Sequence, residues 1–275
     1  MKNRLFIFGA NSYLGTALLN NLKNYKNIIK VGRSIDGLYF DLESSDPKDL
    51  NQHVSNGDIW IFLSAVSSPT KCEMEFDYSF NINVTKTKNL INWLTKNGVK
   101  VIFASSDAVF GKKQGISCDE DAPMPLGAYA HQKALIEKFV KNNTLVKVAR
   151  FSYILGQDDK FSSLVKISEE RKKTLDIYIG FKRCVVLLDD VISGIDSLIK
   201  NWDSFNFKYI NFCGPELVDR ADMANILREK FFPNFEYISK EPSEKFWDGR
   251  AKKINLGCKN FTKILGRRPK SIYQI

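Results

Sequence analysis

The stretch "RLFIFGANSYLGTALLNNLKNY", residues 4–25, decides the fold of this chain. It begins with a short apolar run typical of a buried strand and continues with leucines at helical spacing. Gly9, Ser12 and Gly15 lie three residues apart where the two meet. A glycine turn between a first strand and a first helix is where a doubly wound fold binds a pyrophosphate, because the backbone can approach the phosphates closely. Ser12 stands where the pattern would have glycine, and it is small enough for the same approach.

Strands and helices alternate through the first two-thirds of the chain. Further strands are predicted at 27–32, 38–42, 58–65, 100–106 and 144–152, and further helices at 77–97 and 128–143. The strand at 58–65 is nearly all apolar, as expected of a strand that is buried on both faces. This alternation predicts an α/β fold, a Rossmann-type doubly wound parallel sheet with helices on both faces.

The alternation becomes less regular after residue 155. A strand end with a helix is predicted at 185–202, a strand at 208–214 and a helix at 220–232, and a polar tail follows. The chain is therefore predicted to have a core and a smaller lobe. The predicted parts are a Rossmann dinucleotide-binding core, residues 1–160 with 184–214 returning to it, and a discontinuous C-terminal substrate-binding lobe, residues 161–183 and 215–275.

Composition limits the class of protein. The 275 residues are 44% hydrophobic and 26% charged, which is ordinary for a globular protein. No run approaches the ~18 apolar residues of a membrane helix, and the apolar run "LFIF" is shorter than the roughly 7–15 residues of a signal peptide. We therefore expect a cytoplasmic protein with no membrane partner. Five scattered cysteines without a Cys-x-x-Cys spacing, and only two histidines, argue against a zinc site or a disulfide framework.

The net charge of +10 is compatible with nucleic acid or with an anionic small molecule as partner. The lysines are spread along helical stretches, and the one dense basic group is "GRRPK" at 266–270. Spread lysine is typical of a solvated surface. The sequence thus predicts no nucleic-acid partner and favours anionic small molecules.

The end of the second strand indicates which dinucleotide is preferred. NAD-binding proteins place an acidic residue there for the ribose 2′-hydroxyl, whereas an arginine accommodates the 2′-phosphate of NADP. Here Gly32 occupies the acidic position and Arg33 follows it, while Asp36 lies too far along. The pattern predicts NADP(H) in preference to NAD(H). Asp41, after the third strand, could accept a hydrogen bond from the adenine amine.

The helix predicted at 128–143 begins with "YAHQK", in which Tyr129 and Lys133 share one face. Alone, this spacing is typical of a solvated helix surface. However, Ser105 and Ser106 end the preceding strand at the sheet edge that faces the ligand crevice. A serine, a tyrosine and a lysine can therefore converge beside the dinucleotide.

These motifs together resemble the extended short-chain dehydrogenases/reductases. The matching segments are "GANSYLG" (9–15), "LSAVSS" (63–68), "NINVTKT" (81–87), "SSDAVFG" (105–111) and "DEDAPMPLGAYAHQK" (119–133). Two positions depart from the family pattern, because Ser64 replaces an asparagine and Lys86 replaces a glycine. The resemblance covers most of the chain, and its motifs occur in the family's order.

Within that family, the chain looks most like the dTDP-4-dehydrorhamnose reductase branch. The segments that carry this likeness are "SSDAVF", "DDVISGI" (189–195) and "RAKKINLGCKNFTKILGRRP" (250–269). The resemblance implies NADPH-dependent reduction of a 4-keto group on a nucleoside-diphosphate sugar, and a role in polysaccharide biosynthesis. It leaves a homodimeric state open.

The resemblance also implies roles for individual residues. Tyr129 would donate the proton, Lys133 would hold the nicotinamide ribose, and Ser106, preferred to Ser105 because it directly precedes "DAVFG", would bind the carbonyl oxygen. An ammonium ~4 Å from the phenolate would stabilise it by about 4 kcal/mol at an effective dielectric near 20, so we expect Lys133 to lower the pKa of Tyr129 toward neutrality. The predicted cofactor contacts are Gly9, Asn11, Ser12, Tyr13, Leu14, Gly15, Arg33, Asp41, Leu42, Ser64, Ala65, Val66, Tyr129 and Lys133. The predicted substrate contacts are Ser67, Ser106, Asp107, Arg183 and Arg250, the two arginines holding the diphosphate.

Three alternatives are weighed against this function. A 4,6-dehydratase would carry glutamate after Asp107, but Ala108 stands there. An epimerase would use the same tyrosine and lysine with a bound NAD that is recycled. A non-catalytic NADP-binding regulatory subunit would not need the intact set of serine, tyrosine and lysine.

Overall fold

The computed structural model describes residues 4–33 and 36–275. The strands, in chain order, are β1 (Leu5–Phe8), β2 (Ile28–Gly32), β3 (Leu38–Tyr39), β4 (Ile59–Phe62), β5 (Lys100–Ser106), β6 (Ile116–Ser117), β7 (Val146–Phe151), β8 (Ile154–Leu155), β9 (Leu175–Tyr178), β10 (Lys182–Arg183), β11 (Val186–Leu187), β12 (Tyr209–Phe212), β13 (Tyr237–Lys240) and β14 (Lys253–Leu256). The α-helices are α1 (Tyr13–Asn21), α2 (Pro69–Met74), α3 (Phe76–Phe80), α4 (Thr87–Lys96), α5 (Ala128–Phe139), α6 (Lys160–Glu170), α7 (Leu188–Lys200), α8 (Arg220–Lys230) and α9 (Lys259–Leu265).

The main sheet of the described ranges has seven parallel strands in the order β12-β7-β5-β4-β1-β2-β3. The chain starts at β1 in the middle, extends the sheet to β3, and then returns to β4 to extend it on the other side. The order reverses between β1 and β4, where a doubly wound sheet forms its ligand crevice. The predicted Rossmann-type α/β fold is confirmed.

The two faces of the sheet are covered by different helices. Successive side chains of β1 alternate between the faces. Leu5 and Ile7 pack in a cluster with residues of α1 and α7, whereas Phe6 and Phe8 pack in a cluster with residues of α4 and α5. The second face is strongly aromatic, and Phe6 stacks on Trp60 of β4 with ring centroids 5.0 Å apart. Burial on both faces accounts for the continuous apolar runs in the sequence.

The helix predicted over 77–97 differs from the helical segment observed. That segment begins at Pro69, where Ser68 caps α2 by accepting a hydrogen bond from the Lys71 N–H at 3.3 Å. After α3 it passes through a π-helical turn, Asn81–Lys86, before α4 begins. A π turn opens the backbone by one residue, and no periodicity in one sequence marks it.

The polar tail predicted after residue 232 is folded. Strand β13 pairs with β9, and β14 lies between β10 and β6 in a small sheet. Phe261 of α9 is fully buried and lies 4.5 Å, between ring centroids, from Phe212 of β12. Helices α6 and α8 enclose a separate apolar cluster that includes Phe161 and Leu227. The division into a core and a lobe at the predicted boundaries stays a prediction. None of the helices in the part of the chain described here is long and apolar enough to span a membrane.

Candidate active site

The glycine turn after β1 is tightly packed. Gly9 has a φ of 93°, and a Cβ added there would lie 3.1 Å from the Ser64 backbone nitrogen. A Cβ on Gly15 would lie 2.4 Å from the Gly9 carbonyl oxygen. Ser12 caps α1, because its Oγ accepts a hydrogen bond from the Gly15 N–H at 3.1 Å. The serine therefore shapes the turn in place of glycine. The turn leaves the start of α1 facing the crevice, as a bound pyrophosphate requires.

A cavity of about 280 Å³ lies at the point where the strand order reverses. The predicted cofactor residues that line it are Gly9, Asn11, Ser12, Arg33, Asp41, Leu42, Ser64, Ala65 and Val66. Arg33 is exposed, and it lines the cavity as Asp41 does. The other five predicted contacts do not line it: Gly15 lies in the turn, Leu14 and Lys133 are buried, and Tyr13 and Tyr129 border a second cavity. The first cavity is thus lined both by the glycine turn and by Arg33.

A buried polar network, which the sequence analysis missed, holds the wall of this cavity. Asn83, in the π-helical turn, accepts from the Val66 N–H at 2.8 Å and donates to the Val66 carbonyl oxygen at 2.9 Å. It also donates to Gln132 Oε1 at 2.7 Å, and Gln132 donates to Ser79 Oγ at 2.9 Å. Gln132 lies on α5 beside Lys133, so the network joins the cofactor cavity to the helix that carries Tyr129. The sequence feature that could have indicated this network is the segment "NINVTKT" (81–87), which contains Asn83.

Two features fix the start of α5, the helix that carries Tyr129. Gly127 precedes it with a φ of 84°, a conformation that favours glycine. A carboxylate from another helix caps it, because Glu73 Oε1 accepts from the Ala128 N–H at 2.6 Å. Negative charge at a helix N-terminus is stabilising. Tyr129 therefore lies on the first turn of a helix that is fixed at its start.

The two serines at the end of β5 have different surroundings. Ser105 is buried and donates to Glu137 Oε1 at 2.6 Å; that carboxylate pairs with fully buried Arg150 at 2.7 Å. Ser106 points to the other side of the strand, where it borders a second cavity together with Tyr129. Ser105 is therefore a core residue, and Ser106 is the serine that lies at the candidate active site.

Burial sets the acidity of Tyr129. It raises the pKa of the phenol well above its ordinary value, with the Asp107 carboxylate and the Cys72 thiol adding to the rise and the Ser106 hydroxyl opposing it. The expected lowering of this pKa toward neutrality was wrong. A phenol with a raised pKa stays protonated at neutral pH, so it retains the proton that a donor must supply.

Lys133 lies beneath the tyrosine. Its Nζ is 5.9 Å from the centroid of the Tyr129 ring and 4.7 Å from that of Phe103, and it donates to the Ala104 carbonyl oxygen at 2.7 Å. Burial lowers the pKa of Lys133 to about 8. A backbone carbonyl thus holds the ammonium in place, and burial is the largest influence on the pKa of the phenol.

The second cavity, of about 440 Å³, adjoins the first at residues 64–67. All the predicted substrate residues line it, namely Ser67, Ser106, Asp107, Arg183 and Arg250, together with Tyr129. The structure therefore brings Ser106, Tyr129 and the predicted substrate residues to one space, while Lys133 is buried and does not line it. We call it the substrate cavity.

Asp107 connects Ser106 to Arg183. Its Oδ1 accepts from Ser106 Oγ at 3.0 Å, and its Oδ2 accepts from Ser152 Oγ at 3.2 Å and lies 3.4 Å from Arg183 Nε. Burial raises the pKa of Asp107, while the Arg183 charge opposes that rise. The serine hydroxyl is therefore oriented by a carboxylate whose other oxygen faces an arginine.

Most of the N–H groups of Arg183 bind other groups of the same chain. It is 8% exposed, and its terminal nitrogens donate to the carbonyl oxygens of Lys182 at 2.7 Å, Ala251 at 2.8 Å and Lys252 at 3.4 Å. With Nε directed at Asp107, few of its five N–H groups are left for a ligand. Arg250 is less engaged, donating to the Phe246 carbonyl oxygen at 2.6 Å and to Thr70 Oγ1 at 2.6 Å.

The fold and these side chains define a dinucleotide-binding protein of the extended short-chain dehydrogenase/reductase type. Residues 3–231 match the family described as RmlD substrate binding domain, and the chain belongs to that family. This confirms the resemblance to the dTDP-4-dehydrorhamnose reductase branch that the sequence predicted.

Three known proteins illustrate the range of similar proteins. An ADP-L-glycero-D-manno-heptose-6-epimerase of Brachyspira hyodysenteriae is 22% identical over 285 residues, covering 90% of this chain and 89% of the relative. The crystal structure of a hypothetical dTDP-4-dehydrorhamnose reductase from Sulfolobus tokodaii superposes with a TM-score of 0.84 at 22% identity, covering 98% of each chain. A UDP-glucuronic acid 4-epimerase from Bacillus cereus, in complex with UDP-glucuronic acid and NAD, gives a TM-score of 0.78 at 20% identity, covering 98% of this chain and 96% of that one.

Proposed function

We propose that this protein uses NADPH to reduce the 4-keto group of a nucleoside-diphosphate sugar. The observation that carries the proposal is the convergence of Tyr129 and Ser106 in the substrate cavity, directly beside the cavity that contains the glycine turn. The similar proteins are named for nucleotide sugars: one is named as a reductase and two are named as epimerases. The exposed Arg33 favours NADPH over NADH, and the match to the family described as RmlD substrate binding domain favours reduction.

Bound NADPH would supply the hydride, and this chain would supply the proton and the oxygen contacts. Tyr129 keeps its proton at neutral pH, so it can donate that proton to the carbonyl oxygen as charge develops there. The Ser106 hydroxyl donates its proton to Asp107 Oδ1 in the free protein, and on substrate binding it would turn that proton to the same oxygen as a second hydrogen bond. Lys133, held beneath the tyrosine, would hold the ribose and stabilise the phenolate that remains.

The proposed roles of the two arginines depend on how many of their N–H groups are left for a ligand. Arg250 has N–H groups available for a diphosphate, and its side chain lies at the wall of the substrate cavity. Arg183 would act mainly through Asp107, fixing the orientation of the serine hydroxyl. Asp107 then serves as a positioning residue and not as a sugar ligand. A cytoplasmic location remains part of the proposal.

The test is to incubate the purified protein with NADPH or NADH and a panel of uridine- and thymidine-diphosphate 4-keto sugars, following the absorbance of the reduced cofactor and identifying the products. We expect one NADPH to be consumed for each hydroxy sugar formed. Interconversion of two hydroxy sugars without net cofactor consumption would instead identify an epimerase. Cofactor binding with neither reaction would favour a regulatory subunit.

A further inference from the structure

Arg220 is held in an aromatic cage at the start of α8. Its guanidinium carbon lies 5.0 Å from the ring centroid of Phe161, 5.6 Å from that of Tyr153 and 5.8 Å from that of Phe181. The Tyr153 ring is itself fixed, since its hydroxyl donates to Asp159 Oδ1 at 2.5 Å. Cation–π contacts orient a guanidinium plane but use none of its N–H groups in hydrogen bonds.

No oxygen atom within residues 4–33 and 36–275 accepts a hydrogen bond from the Arg220 side chain, and no carboxylate there pairs with it. Other arginines of this chain are engaged. Arg228, two turns later on the same helix, donates to Asn225 Oδ1 at 3.1 Å, and Arg183 donates to three carbonyl oxygens. Arg220 is half-buried and positively charged, with its full set of N–H donors available.

The cage adjoins the substrate cavity. Tyr153 and Phe181, two of its three rings, line that cavity. Arg183 lies over the same Phe181 ring, 3.8 Å from its centroid, so two guanidinium groups share one aromatic side chain. Burial lowers the pKa of Arg183, Asp107 opposes this, and the nearby Arg220 charge lowers it further. Exposed Lys160, which also lines the cavity, has no carboxylate partner in the described part of the chain. Two positive charges close together repel each other, and a bound anion offsets this repulsion.

We propose that Arg220 binds the diphosphate of the nucleoside-diphosphate sugar, with Lys160 adding charge at the rim. The assignment rests on the proposed function, which requires a diphosphate in the substrate cavity. A planar fork of N–H donors matches phosphate oxygens in pairs, and the aromatic cage sets the fork's orientation before the ligand arrives. Arg220 would then be a diphosphate-binding residue for this protein, in addition to Arg250.

The experiment compares Arg220→Met with Arg228→Met, the same substitution on the same helix. The probes are UDP and dTDP, with uridine and thymidine as analogues that lack the diphosphate, each titrated by calorimetry into protein saturated with NADPH. We expect Arg220→Met to weaken diphosphate binding about 10- to 100-fold, the range for charge-assisted hydrogen bonds. We expect Arg228→Met to bind like the parent, and nucleoside binding to be unchanged in both. Arg220→Lys, which keeps the charge without the fork, should lie between.

The melting temperature and NADPH affinity of each variant show whether it is folded. Should Arg220→Met fold and bind UDP and dTDP as tightly as Arg228→Met, the assignment of Arg220 is overturned while the proposed function stands. Should Arg220→Met fail to fold, folded Arg220→Lys with parental diphosphate affinity overturns it equally. Should the parent protein bind neither nucleoside diphosphate, the proposed function fails for uridine and thymidine sugars, and the assignment of Arg220 to their diphosphate fails with it.

Discussion

The proposed chemistry at the residue scale depends on one hydroxyl group. Tyr129→Phe keeps the ring and its packing, so the fold and the Lys133 contacts should survive. General acids typically contribute ~10²–10⁴ in rate, and we expect kcat to fall within that range. NADPH affinity should stay within a few-fold of the parent, because the phenol is proposed to act on the substrate. Steady-state kinetics and cofactor titration check both. Turnover near the parent rate would reduce Tyr129 to a helix surface residue.

Burial of its charge means that Lys133 should lower the stability of the fold at neutral pH. Its pKa falls from 10.5 to about 8 on burial, which corresponds to roughly 3 kcal/mol of unfavourable free energy. Removing its hydrogen bond to Ala104 would cost about 1 kcal/mol. Lys133→Met should therefore raise the free energy of unfolding near pH 7 by about 1–2 kcal/mol while abolishing activity. Exposed Lys138→Met on the same helix should change stability by less than about 0.5 kcal/mol.

The gain from Lys133→Met should depend on pH. Below about pH 8 the folded parent carries the buried charge. Between that pH and 10.5, folded Lys133 loses its proton while the unfolded chain keeps it, so the parent gains stability as pH rises. The difference between variant and parent should therefore shrink across this window in urea unfolding. A difference that stays constant would show that Lys133 is not a buried charge.

At the element scale, the turn between β1 and α1 has no room for a side chain. A Cβ on Gly15 would lie 2.4 Å from the Gly9 carbonyl oxygen, whereas a Cβ on Gly257 would find its first neighbour at 3.5 Å. Gly15→Ala should cost about 1–3 kcal/mol through overpacking and should weaken NADPH binding by displacing the turn. Gly257→Ala serves as the control and should be nearly neutral. Urea midpoints and cofactor titrations measure both effects. Parental NADPH affinity in Gly15→Ala would contradict the placement of the cofactor at this turn.

The elements also show what a single sequence can reveal. The strands of the main sheet were predictable because burial on both faces leaves continuous apolar runs, and Ser106 was distinguished from Ser105 by its place before "DAVFG". The folding of the tail was not, because β14 has only four residues, alternately polar and apolar, and is held by pairing with β10 and β6. The direction of the Tyr129 pKa shift also depends on burial created by distant residues. Likewise, the engagement of Arg183 arises from carbonyl groups nearly 70 residues away in the chain.

Across the whole molecule, Asn83 and Gln132 join Val66, which lines the first cavity, to helix α5, so the cofactor should stabilise the fold beyond its own cavity. A ligand at 100 times its Kd adds about 2.7 kcal/mol, and each kcal/mol raises the Tm of a chain of this size by roughly 2–4 °C. NADPH should therefore raise the Tm more than NADH at equal concentration. Arg33→Ala should weaken NADPH binding by about 1–3 kcal/mol and remove that difference. Equal shifts by both cofactors in the parent protein would contradict the NADPH preference.

The most direct test of the account is deuterium transfer from NADPH labelled on the transferring face of the nicotinamide. The protein is incubated with labelled NADPH and a nucleoside-diphosphate 4-keto sugar, and the product sugar is examined by mass spectrometry and NMR. The account predicts one deuterium per product, bound at C4, with one oxidised cofactor released, and almost no label transferred by Tyr129→Phe in the same time. A product with no deuterium, with deuterium at another carbon, or formed equally fast by Tyr129→Phe would contradict the assignment of this chain as a tyrosine-dependent 4-keto reductase.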